Sequence, residues 1–67
     1  MDPAMKRANK LFELSGKTLD QLGVAMGYPA NSARKSAWQF LAKTTDPRLS
    51  MLRRFAKAIG VSMNELV

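Results

Sequence analysis

The sequence predicts an all-α fold, a compact five-helix bundle forming one domain over residues 1–67, and three observations carry that expectation. Helix-start signals recur at five places, the apolar residues between them return at three- and four-residue spacing, and no stretch alternates with the period of two that a strand needs. Sixty-seven residues leave room for one small core and no second domain.

The first start is Asp2-Pro3, an N-cap followed by a first helical residue whose missing amide is no loss there. Met5, Ala8, Leu11, Phe12 and Ser15 then recur on one face until Gly16 offers a stop, giving a first helix over about 3–15 with Lys6, Arg7 and Lys10 outward. Thr18-Leu19-Asp20-Gln21 is a capping box that opens a second helix, about 19–26, with Leu19, Leu22 and Met26 inward and Gly27 at its end. Gly23 inside that helix costs about 1 kcal/mol relative to alanine, so the close approach of another backbone is the expected compensation. After Tyr28-Pro29, either Asn31 or Ser32 can cap a third helix that runs to about 43 and buries Ala33, Ala37, Phe40 and Leu41. Its opposite stripe is Asn31, Arg34, Lys35, Trp38, Gln39 and Ala42. Thr44-Thr45-Asp46-Pro47 is a loop ending in a second Asp-Pro start, and the fourth helix turns Leu49, Leu52, Phe55, Ala56 and Ile59 inward until Gly60. A final capping box, Ser62-Met63-Asn64-Glu65, opens the fifth element, a last turn with Leu66 and Val67.

Composition narrows the chemistry. The chain has neither cysteine nor histidine, which removes thiolate metal sites, disulfides, and the commonest general base, so no enzyme activity, metal or other cofactor is expected. No segment approaches the roughly 18 apolar residues of a membrane span. Met1-Asp2-Pro3 lacks a signal-peptide pattern, and the expected location is the cytoplasm. Net charge is +6 and unevenly spread: between Gln21 and Asn64 the only acid is Asp46, against Arg34, Lys35, Lys43, Arg48, Arg53, Arg54 and Lys57. Such an imbalance suits a polyanion, because each phosphate neutralised releases condensed counterions. Charge alone leaves nucleic acid, an anionic membrane and an acidic protein open; no membrane partner is expected, since one core consumes the apolar stripes.

Two short helices in tandem, joined by a turn containing Gly27, have the layout of a helix-turn-helix over about 18–43. The stretch from Thr18 to Gly27 resembles the second helix and turn glycine of the phage Cro/repressor-like (Xre-type) helix-turn-helix family, and Pro47 to Leu66 resembles its fourth and fifth helices without a gap. The resemblance implies a lambda-repressor-like domain that binds double-stranded DNA sequence-specifically as a transcriptional regulator, repressor-like, in a prokaryotic or phage setting at the nucleoid. It also implies a homodimer on DNA, with the end of the chain and the fourth helix as interface. From another functional class, the alternative is an antitoxin or other protein-interaction module, with a protein partner and DNA binding secondary.

Three departures stand out. Gly23 replaces the family's usual alanine, Leu19 replaces its common glutamine, and the stretch from Gly27 to Pro47 is about four residues longer, close to one helical turn. A gap before the third helix puts Ala37 and Phe40 on core positions and aligns Arg34, Lys35 and Gln39 with the family's base-reading positions. A later gap puts Ser36 in the core and aligns Ala30, Asn31 and Lys35 instead. Hydrophobic pattern favours the first register. Phe12 and Leu41 stand where the family pairs an arginine with a glutamate, and both have become apolar together, which suits helix 1 packing on the end of helix 3.

The resemblance then divides the polar residues by role. Arg34, Lys35 and Gln39, with Asn31, are the expected base readers, with donors that match guanine and adenine edges. Phosphate contacts are expected from Lys43, Thr44, Thr45 and Arg48 in the loop after the third helix, from Lys17 and Thr18 at the start of the second, and from Ser32. Trp38 can flank the core, meet a partner chain or lie on the DNA backbone, with packing favoured. Arg53, Arg54 and Lys57 are expected to be solvated or interfacial.

Overall fold

The computed structural model describes residues 2–67 and folds them into four α-helices, α1 (Pro3–Ser15), α2 (Leu19–Ala25), α3 (Ala33–Lys43) and α4 (Leu49–Ile59), followed by one 3-10 turn, Met63–Glu65. No strand occurs among the described residues, and none of their helices is long and apolar enough to cross a membrane.

Local capping chemistry sets most boundaries. The Asp2 carboxylate accepts from the Ala4 and Met5 amides at 2.8 and 3.3 Å, using donors the first turn of α1 leaves unpaired. The Thr18 hydroxyl accepts from the Gln21 amide at 3.1 Å while the Gln21 side chain accepts from the Thr18 amide at 2.9 Å, which closes the expected box at the head of α2. Three expectations need correction. The fifth element is a single 3-10 turn rather than a helix: its Ser62–Glu65 box forms, yet one turn fixes several dihedrals for few bonds and does not propagate. What holds it is tertiary, with Leu66 fully buried and the Arg7 guanidinium donating to the Leu66 carbonyl at 3.3 Å. At α3 the N-cap is Ser32, but its hydroxyl donates to the Pro29 carbonyl at 3.4 Å instead of capping, and Asn31 lies in the preceding turn, outside the helix. The Asp46-Pro47 signal does not start α4. Pro47 is half-buried beside Tyr28 and Phe40, Arg48 is extended, and the Arg48 carbonyl accepts the first helical bond, from Leu52 at 3.1 Å.

The core joins all four helices and the last turn through Met5, Ala8, Leu22, Met26, Ala37, Phe40, Leu41, Leu52, Phe55, Ala56 and Leu66. Phe40 and Phe55 rings lie 5.7 Å apart at a tilt of 36°, a favourable aromatic geometry. Leu49, expected inward, is 58% exposed because it stands at the head of α4, at the margin of the stripe formed by Leu52, Phe55 and Ala56. Phe12 packs on the edge of the core that contains Leu41. The Asn9 amide nitrogen ties α1 to the end of α3 by donating to the Leu41 carbonyl at 3.0 Å and to the Met5 carbonyl at 2.9 Å.

Gly23 marks a close approach of two helices. A Cβ built there would overlap the Ala33 carbonyl and stand 2.7 Å from Ala33 Cα, so α2 and α3 touch backbone to backbone, as the interior glycine suggested. The seven residues 26–32 make the connection, with Gly27 at φ 96° and the Tyr28 amide donating to the Gly23 carbonyl at 3.0 Å. Ala37 and Phe40 are buried while Ser36 is only half-buried, the inner face that the hydrophobic pattern of this helix predicts.

Two stability outcomes follow. Gly23→Ala removes a glycine from a helix and would stabilise an open one, yet here the methyl meets backbone, and a net loss of about 1 to 3 kcal/mol is expected in denaturant unfolding. Leu41→Ala is expected to cost about 2 to 5 kcal/mol, since the side chain is 5% exposed. A stabilised G23A protein would show that α2 and α3 do not meet this closely.

Candidate functional site

Four buried residues, Ala33, Ala37, Phe40 and Leu41, hold α3 against the core and leave Arg34, Lys35, Trp38, Gln39, Ala42 and Lys43 exposed. At 3.6 residues per turn, Arg34 and Gln39 point about 140° apart, with Lys35 and Trp38 between them. The outer face of α3 is therefore broader than a single stripe, and it is a ridge with a hollow on each flank.

One hollow, of about 410 Å³, is lined by Leu19 from α2, Asn31 from the connection, and Arg34, Lys35 and Trp38 from α3. The other, of about 340 Å³, gathers Tyr28, Ser36, Gln39, Thr44, Asp46 and Arg48. Arg34, Lys35 and Asn31 thus come together, whereas Gln39 stands on the opposite flank with Thr44 and Arg48. Thr45 is exposed in the adjoining loop. Asp46, the one acid between Gln21 and Asn64, also lies in the second hollow and lowers its appeal to an anion.

Lys43 and Trp38 form a unit. The Lys43 ammonium is 5.4 Å from the centroid of the indole, which is 47% exposed, a cation–π pair worth about 0.5 to 1 kcal/mol at such a site. Trp38 was expected to pack; instead a large part of its ring faces solvent, because Ala37 and Leu41 rather than Trp38 occupy the inner side of α3.

At the head of α2 the expected phosphate donors are partly committed. The Thr18 amide donates to Gln21, and the Lys17 amide to the Ser15 hydroxyl at 3.2 Å, leaving the Lys17 ammonium and the Thr18 hydroxyl proton. Asp20 in the first turn places a carboxylate where an anion would approach the helix dipole. Ser32 is engaged with Pro29 and lines neither hollow. Sequence reasoning passed over Tyr28, which is half-buried and lines the second hollow. Its signal was available: a large amphipathic ring between the turn glycine and a proline has to find either a core or a surface partner.

No polar or charged side chain is buried among the described residues, so every described cation reaches the surface. Donors, cations and the rings of Trp38 and Tyr28 lie on and around α3, a face whose charge favours anions. No protein-family model, curated protein or solved structure matches this chain.

Trp38 is the only tryptophan and reports on the site directly. Iodide is expected to quench its fluorescence more strongly than caesium does, because Arg34, Lys35 and Lys43 surround the ring, and Lys43→Ala is expected to narrow that difference. Equal quenching by the two ions would show that the cations do not gather there.

Proposed function

We propose that this protein is a sequence-specific double-stranded DNA-binding regulator, repressor-like in action, that lays α3 in the major groove and binds as a two-fold pair. The observation that carries the reading is the outer face of α3: Arg34, Lys35 and Gln39 exposed on a helix whose other side is buried in the core. Eleven residues make a rod about 16 Å long, and the major groove, about 12 Å wide, admits such a helix. Arginine and lysine match the two acceptors of guanine, and asparagine and glutamine match adenine. Around this face the Lys17 and Lys43 ammonium groups, the Arg48 guanidinium and the hydroxyls of Thr18, Thr44 and Thr45 suit phosphates, which position the helix without reading sequence. Ser32, held by Pro29, is the weakest member of that set.

The resemblance to Cro/repressor-like proteins supports the same reading. Gly23, where that family has alanine, permits the backbone contact with Ala33. Leu49 and Val67 expose apolar side chains in α4 and beyond it, the region proposed to pair two copies on a near-palindromic site.

Selection of bound sites from a random duplex library, followed by affinity measurements across salt concentrations, tests the reading. Arg34→Ala and Gln39→Ala are expected to cost about 1 to 3 kcal/mol on the selected site and much less on random duplex. Arg48→Ala is expected to weaken both alike and to lower the salt slope by about one unit. A chain that enriches no sequence and shows no salt-dependent duplex affinity would return the protein-interaction role to the front.

A further inference from the structure

We infer that the hollow between α2 and α3 is a reader of the 5-methyl group of a pyrimidine, thymine above all, with Leu19 and Trp38 as its apolar walls. The inference rests on the DNA reading and adds to it a base, and the two residues that select it. Among the side chains of this hollow, Asn31, Arg34 and Lys35 are polar, while Leu19 is partly buried against the core and Trp38, apolar except for its indole N–H, leaves 47% of its surface open. A duplex major groove offers donors and acceptors from all four bases but a single apolar feature, the thymine methyl. An indole and a leucine side chain on the flank of a helix in that groove have no other apolar group to meet. Hydrogen-bond donors to bases do not need them.

The surroundings fix the occupant. Arg34 and Lys35 rim the hollow, and the Lys43 ammonium sits over the same indole, 5.4 Å from its centroid, so the approach to the apolar surface is cationic. Such a rim attracts the phosphates beside a base and repels a basic protein surface. Lys43 also covers part of the ring, which restricts stacking of an unpaired base there. Leu19 has a clear part in this: it is the first residue of α2, its side chain is neither charged nor hydrogen-bonding, and it lines the hollow together with Trp38.

The test uses the full chain and the duplex obtained by selection. Each thymine is replaced singly by uracil, which removes only the methyl, and each cytosine by 5-methylcytosine, which adds one. For the wild-type protein, loss of the methyl at one position per bound copy is expected to weaken binding about fourfold, the worth of one buried methyl. Trp38→Ala is expected to bind the thymine and uracil duplexes equally, and Leu19→Ala to reduce the ratio. Arg48→Ala is expected to lower affinity while keeping the ratio. A selected site in which no thymine-to-uracil change matters overturns the inference, as does a ratio that survives in the Trp38 variant, while specific duplex binding itself stands in both cases. Tighter binding to single strands than to duplex would make the hollow a stacking site and would also overturn it. Failure to enrich any duplex sequence would instead remove the DNA reading, and this inference with it.

Discussion

The backbone contact between Gly23 and Ala33 is the constraint on which the rest of the architecture depends. Without a side chain at position 23, α2 approaches α3 until the Ala33 carbonyl occupies the place of a Cβ. That approach turns Ala33 and Ala37 inward and, by the helical period, turns Arg34, Lys35 and Trp38 outward. It also dictates the shape of the connection. Residues 26–32 have to bring the chain back onto the glycine, and they do so through a left-handed Gly27, the Tyr28 amide on the Gly23 carbonyl, and a turn held by Ser32 on Pro29.

With α2 and α3 fixed as a pair, α1 and α4 close the core from the remaining sides by different means. From α4 come Leu52, Phe55 and Ala56, with Phe55 against Phe40. From α1 come Met5 and Ala8, together with a polar clamp, because Asn9 satisfies a carbonyl in the last turn of α3 that has limited helical partners. Arg7 does the same for Leu66, so two polar side chains of one helix tie down the ends of two other elements. A core this small gains from such links, since few apolar contacts are available to hold chain ends.

Charge and packing are separated in this molecule. The described core contains no polar side chain, and the surplus of cations stands at the surface, where its field favours anions over cations. Around α3 the surplus is structured: Lys43 is held on Trp38, Arg34 and Lys35 rim one hollow, and Arg48 with Asp46 borders the other. One flank carries Leu19 and Trp38 under a cationic rim and the other mixes Tyr28, Phe40 and Met51 with Gln39, Thr44 and Asp46, which gives the ridge two distinct sides that a uniform basic patch would lack.

The residues alone determined the α class, the extents of α1 and α2, the end of α4 and the inner face of α3, because periodicity and capping are written within a few residues of where they act. Asp2 reaches amides two and three positions on, and Thr18 and Gln21 satisfy each other. Even the need for a close neighbour at Gly23 was legible, since a glycine within a helix has to be repaid by contact. Tertiary structure decided what lies far apart in sequence. It chose Arg48 over Asp46 as the head of α4 through the packing of Pro47, reduced the last helix to one turn, left Leu49 in solvent, and joined Arg7 to Leu66 and Asn9 to Leu41. It also split the outer face of α3, sending Gln39 to one flank and Arg34 to the other, and brought Leu19 into the same hollow as Trp38. Helical spacing reports the direction of a side chain from its own axis, but which neighbouring element stands beside it depends on how the helices cross, and in this chain the crossing is set by a contact between two backbones.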